Sequence, residues 1–127
     1  MPFTQIKDTL KIKVKNQIPM VHFYRAAEDS TAFLKYPHRH LFKITTIVEV
    51  THEDRDIEFF ALQSFIQGCL EAFKIEKSST DFSCETLAII IKDFIISEYK
   101  DRFIEIEVSE DGENSAILTH EVKNVNV

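Results

Sequence analysis

The hydrophobic period changes twice along this chain, and that ordering limits the folds open to it. In "TLKIKVK" (9–15), Leu10, Ile12 and Val14 alternate with Lys11, Lys13 and Lys15. A period of two marks a strand with one face buried. The run resumes at Met20 after Asn16 and Pro19, which predict a bulge or bend near 16–19. "HRHLFKITTIVEV" (38–50) is rich in β-branched residues and reads as a second strand, antiparallel to the first. From Ile57 to Phe73 the period becomes helical, through Phe59, Leu62, Phe65, Ile66, Cys69, Leu70 and Phe73. A second helix is predicted over 84–98 with Ser83 as N-cap. Alternation then returns in "RFIEIEVSE" (102–110), and "DGEN" (111–114) turns the chain into "SAILTHEV" (115–122). Residues 25–37 read as a loop holding at most one helical turn, and 74–81 as a loop.

The order strand, strand, helix, helix, strand, strand predicts an α+β fold. A four-stranded antiparallel sheet carries two helices on one face and Lys11, Lys13, Glu105 and Glu107 on the other. With 127 residues, eleven phenylalanines and no internal linker or repeat, the expectation is a single domain over 1–127. The formal net charge of −6 argues against nucleic acid as a partner, because phosphate binding needs a basic face. Two cysteines make no disulfide framework, the N-terminus lacks an apolar leader, and no apolar run reaches spanning length. A soluble, cytoplasmic protein without a membrane partner is the expectation.

"KYPHRHLFKI" (35–44) places two of the five histidines one residue apart. On a strand, His38 and His40 project from the same face. They are open to three readings: a metal site, a pair on a solvent-facing strand, or a nucleic-acid contact led by Arg39. His22, near the end of the preceding strand, comes back opposite the pair if the two strands form a hairpin. Three neutral imidazoles with an open fourth position form a common catalytic zinc arrangement. The competing reading is two exposed strand histidines and one core histidine. His52 and His120 stand apart and read as solvated; Cys69 reads as core and Cys84 as a small buried or capping-turn residue.

Over about residues 9–122 the chain resembles the tunnelling-fold family of 6-pyruvoyl tetrahydropterin synthase and 6-carboxytetrahydropterin synthase. In that family a strand histidine is followed by an HGH triplet and the three bind zinc, a pattern matched by His22 and "HRH" (38–40), with Arg39 replacing the glycine. "DIEFF" (56–60) matches the segment that opens the first helix, "FSCETLA" (82–88) the family's PT-x-E-x-LA stretch, and "VSEDG" (108–112) its V-x-ET. The resemblance implies a zinc cofactor bound by His22, His38 and His40. It implies a pterin- or purine-like ligand anchored by Glu110, with Glu85 supporting the same pocket, since a carboxylate can accept two N–H donors from a planar ring edge. It also implies a homohexamer of two trimeric rings with sites between subunits.

Two departures bear on catalysis. The family's catalytic cysteine falls at Leu34, and its Asp–His pair has no counterpart in "KIEKSSTDFS" (74–83). Metal and ring-binding parts are thus matched without the acid–base parts that carbon-bound proton transfer requires. Glu28, Asp29 or Tyr36 could replace the base, but no spacing selects among them, and the catalytic residues stay unknown. Two functions follow: a zinc-dependent lyase or synthase, or a non-catalytic oligomeric module that binds or sequesters a pterin- or purine-like ligand.

Overall fold

A computed structural model describes residues 8–123. The alternating segments form strands β1 (Leu10–Phe23) and β2 (His38–Val50), joined through a 3-10 helix over Asp29–Lys35. Helix α1 (Phe59–Lys77) follows, then the short strand β3 (Thr80–Asp81), helix α2 (Cys84–Tyr99) and the hairpin of β4 (Ile104–Glu110) and β5 (Asn114–His120). The fold is α+β, as expected. The sheet is five-stranded, with order β3-β1-β2-β4-β5, and it is mixed: β3 runs parallel to β1 through His22–Thr80 and Phe23–Asp81.

Those two features correct the four-stranded, purely antiparallel expectation. The segment 74–81, expected as a loop, is divided between the end of α1 and β3. It carries no alternation that would mark a strand, because β3 is only two residues long and holds no apolar residue.

The bulge expected at 16–19 is also absent. β1 and β2 pair without interruption from Leu10–Val50 to His22–His38, and Pro19 sits opposite Leu41. The missing N–H of Pro19 falls on the outer edge of β1. Its odd-numbered neighbours turn their backbone groups that way: the Gln63 amide donates to the Lys15 carbonyl, Gln67 to that of Gln17, and the Ser79 N–H to that of Val21. A proline costs no ladder bond there, and the two α1 glutamines cover the edge.

Because paired strand residues share a face, the even-numbered positions of β1, β2 and β4 point together toward the helices. Ile18, Met20, Phe42, Ile44, Val48, Ile104, Ile106 and Val108 are buried there against Leu62, Ile66, Leu70, Leu87, Ile91 and Ile95. Each such side chain contributes roughly 1.5–3 kcal/mol by leaving water. Lys11 and Lys13 are exposed on the other face. Phe59, counted on the apolar face of the first helix by period, instead faces outward.

Both helices are capped at their starts. The Glu58 carboxylate accepts from the Phe60 and Ala61 N–H groups, and the Ser83 hydroxyl accepts from the Thr86 N–H, as its position predicts. The turn between β4 and β5 places Gly112 at φ +77°, a conformation glycine adopts without steric cost. No helix among the described residues is long and apolar enough to cross a membrane.

Candidate metal centre

The helix-covered face of the sheet continues beyond its apolar core into a polar end. One step past the Ile18–Phe42 pair, Met20 faces His40; one step further, His22 faces His38. Glu110 pairs with Phe42 at the end of β4. Alternation and register alone therefore bring His22, His38, His40 and Glu110 onto one face. The imidazole centroids lie 4.5 Å apart for His22–His38, 4.9 Å for His38–His40 and 5.4 Å for His22–His40. Ligand atoms of the three rings lie within 4.8 Å of one another, so the group could hold a metal ion.

The hydrogen bonds determine which ring nitrogen is free. His22 Nδ1 lies 2.9 Å from the Phe82 carbonyl, His38 Nδ1 2.8 Å from the Tyr36 carbonyl, and His40 Nδ1 2.6 Å from Asp111 Oδ2. A carbonyl can only accept, so the first two rings must donate from Nδ1. Asp111 also acts as an acceptor: its carboxyl is held below the usual value, first by the His40 hydrogen bond and then by the Leu41 N–H. All three Nδ1 hydrogens are thereby committed, so in the neutral form of each ring the lone pair is on Nε2. Outer partners that fix the tautomer in this way commonly support metal-bound histidines.

His22 is the deepest of the three, at 6% exposure, and its Nε2 is buried without a hydrogen-bond partner. Burial, the largest influence, lowers its pKa and keeps the ring neutral; the Phe82 carbonyl and Glu110 act in the opposite direction. Phe42 and Phe82 pack against this ring, each with its centroid 5.1 Å away. An orphaned acceptor held in an apolar wall beside two similar acceptors suits a cation. Neutral imidazoles in this number fit a borderline-soft divalent ion.

A cavity of about 500 Å³ opens beside the triad, and His22, His38, Glu110, Glu85, Asp81, Cys84 and Leu34 are among its lining residues. Both predicted anchors are therefore at one cavity, in different settings. Glu110 is at its floor, with Oε2 3.1 Å from His40 Nε2 and Oε1 3.4 Å from His22 Nε2. Glu85 is exposed, in the first turn of α2. Leu34 does reach the cavity, while Glu28, Asp29 and Tyr36 are not among its lining residues.

Cys84 is buried, and burial together with Glu110 pushes its thiol pKa up to about 12. It remains a thiol, 3.8 Å from Glu110 Oε1, and can act only as a weak donor. Cys69, read as core, is half-buried. His120, read as solvated, instead pairs with Asp101 at 2.6 Å.

Two residues, one beside the triad and one in the cavity wall, escaped the sequence reading. Asp111 looked like turn chemistry before Gly112, yet its carboxylate orients His40. Asp81 lines the cavity and accepts the Arg25 N–H at 3.2 Å; only the unrecognised strand β3 brings it there. For Asp111 a signal did exist, since any residue following Glu110 must lie close to the HRH strand once β2 and β4 pair.

A larger groove of about 750 Å³ lies elsewhere, lined by Lys15, Lys43, Gln63, Gln67 and other polar residues. It contains no histidine and is not the place for the predicted chemistry. Neither protein-family models nor curated proteins match the chain.

Proposed function

We propose that this chain is a zinc protein of the tunnelling-fold type that captures a pterin- or purine-like ring beside a three-histidine centre. The observation that carries the reading is the convergence of three Nε2 lone pairs whose Nδ1 partners are already fixed. His22, His38 and His40 would hold the ion. When bound, zinc supplies a Lewis acid for a ligand oxygen.

The chain's own residues define the ligand class. Glu110 at the cavity floor and Glu85 at its rim offer carboxylates to N–H donors, and paired charge-assisted bonds of that kind favour an amino-pyrimidine edge. Phe23, Tyr24, Leu34 and Phe82 add apolar wall to the same cavity, which suits a flat ring.

The family reaction finds less support. Leu34 stands where that reaction needs a thiol and carries no proton, and Cys84 is held as an inert thiol. Capture without the family turnover is thus the reading favoured here. An enzyme remains the second reading, because Asp81 and Glu85 add carboxylates to the cavity. A homohexamer with sites between subunits belongs to the same proposal. It draws support from the polar outer face of the sheet and from the edge of β5, which has β4 as its one neighbour among the described strands. A reducing, cytoplasmic setting is consistent with the free Cys69 and Cys84.

Calorimetry of the zinc-loaded protein with a panel of pterins and guanine nucleotides, alongside a product assay, tests the proposal. Binding of at least one ring without turnover of dihydroneopterin triphosphate is expected. Absence of heat across the panel would remove the ring-binding reading, and robust turnover would replace capture with catalysis.

A further inference from the structure

We propose that Glu110 is itself the fourth ligand of the metal centre whenever the neighbouring cavity is empty, so that protein atoms alone close the site. This rests on the three-histidine reading above and changes its consequence, because a three-histidine site by itself leaves one position open.

The geometry points this way from both sides of the carboxylate. Glu110 Oε2 lies 3.1 Å from His40 Nε2, and Oε1 lies 3.4 Å from His22 Nε2. With the Nδ1 hydrogens of both rings donated elsewhere, these contacts set acceptor against acceptor whenever the rings are in the neutral form that binds a metal. A cation between them turns repulsion into coordination. Each contact by itself is near the edge of a tetrahedron, about 3.3 Å for bonds of about 2.0 Å; the two are made by different oxygens, so one of them turns to the ion when it binds. His22 Nε2, buried and lacking a hydrogen-bond partner, supplies a second observation independent of the acidic side chain.

Local structure holds the carboxylate in that orientation. Glu110 ends β4, where its pairing with Phe42 directs it onto the histidine face. The Cys84 thiol donates weakly to Oε1 from the start of α2. His40 is braced from its far side by Asp111, so two consecutive acids bracket one ring, one on each nitrogen. Glu110 also lines the cavity. A ring that takes this carboxylate must draw it from the metal, so ligand entry would open the coordination position that Glu110 fills at rest.

Cobalt substitution tests this without any turnover assay. Wild type, Glu110→Gln and Glu105→Gln, the last on the outer face of the sheet, are titrated with Co²⁺ alone; affinity is read by competition with a chelator and geometry by the visible absorption bands. Glutamine preserves shape and removes charge, and Glu110→Asp, which keeps the charge on a shorter arm, is the second variant. In the expected result, wild type and Glu105→Gln share an intense four-coordinate spectrum. Glu110→Gln then binds at least about 10-fold more weakly, with altered bands, and Glu110→Asp lies between them. If Glu110→Gln retains the wild-type affinity and spectrum, the fourth-ligand role is overturned while the histidine site stands. If wild type takes up no cobalt, both readings fall together.

Discussion

The two ends of the sheet meet their polar groups in opposite ways. At the end where β1 begins and β2 finishes, Arg102 donates to the carbonyls of Tyr99 and Glu49 and to Asp56 Oδ2, while Asp56 also accepts the Thr51 N–H. All three nitrogens of the guanidinium meet an acceptor of the protein. At the other end the Nε2 atoms of His22 and His40 face a carboxylate, with no hydrogen-bond partner for that of His22. One end is closed by its own hydrogen bonds; the other has a group that could hold a metal ion. Polar residues are therefore present at both ends, and the unmatched ring nitrogen of His22 distinguishes the candidate site.

Breaking each end in turn should separate the two roles. The largest effect is expected from His22→Ala, which removes the buried ligand: elemental analysis should fall from about one divalent ion per chain to background. Unchanged metal content would end the distinction between the two ends. Arg102→Ala should leave metal content intact and destabilise the fold instead. It removes the guanidinium from two part-buried carbonyls and leaves Asp56 with the Thr51 N–H, a loss below the roughly 1–3 kcal/mol of a fully buried group that loses its partner; urea unfolding with and without metal reads this directly.

The subtlest effect is a separation by pH. His22 has its pKa lowered from an ordinary 6.5, so the unfolded chain takes up this proton before the folded one does. The metal-free protein should lose stability as pH falls below about 6.5 and on through the lowered value of His22. Asp56 is lowered from 3.8, chiefly by the Thr51 N–H, so its contribution is full above about 3.8 and is lost as pH falls from there through the lowered value. Unfolding midpoints across pH in the presence of a chelator should show two stages, and His22→Gln should remove the upper one. A single stage shared by wild type and His22→Gln would mean that the ends do not titrate apart.

Much of this was legible before any coordinates. Alternation in 9–15 and 38–50 put His38 and His40 on one face, and hairpin pairing brought His22 to them. Ser83 announced a helix start through its capping chemistry. Other features had no local signal. Thr80 and Asp81 become a strand only because β1 extends beside them. Pro19 argued for a break, and its tolerance depends on which edge its nitrogen faces, a property of pairing rather than of composition. Arg102 and Asp56 are ordinary surface types far apart in sequence, and their closure exists only after β4 is docked. Asp111 was hidden because a turn accounts for an Asp-Gly pair without any partner.

The uninterrupted pairing of β1 with β2 has a consequence for how this chain can vary. Between Phe23 and His38 the connecting segment contributes Leu34 to the cavity wall but no histidine to the centre, so insertions or deletions there alter the cavity while leaving the metal site in phase. Between His38 and Phe42 there is no such freedom. Phe42 is locked in the core at 0% exposure, and one residue gained or lost before it would rotate the HRH triplet to the solvent side. The chain would still fold, with all of its histidines retained, and the centre would be gone. Histidine count is thus a poor guide to which descendants of this sequence keep the site; the parity of the spacing to Phe42 is the better one.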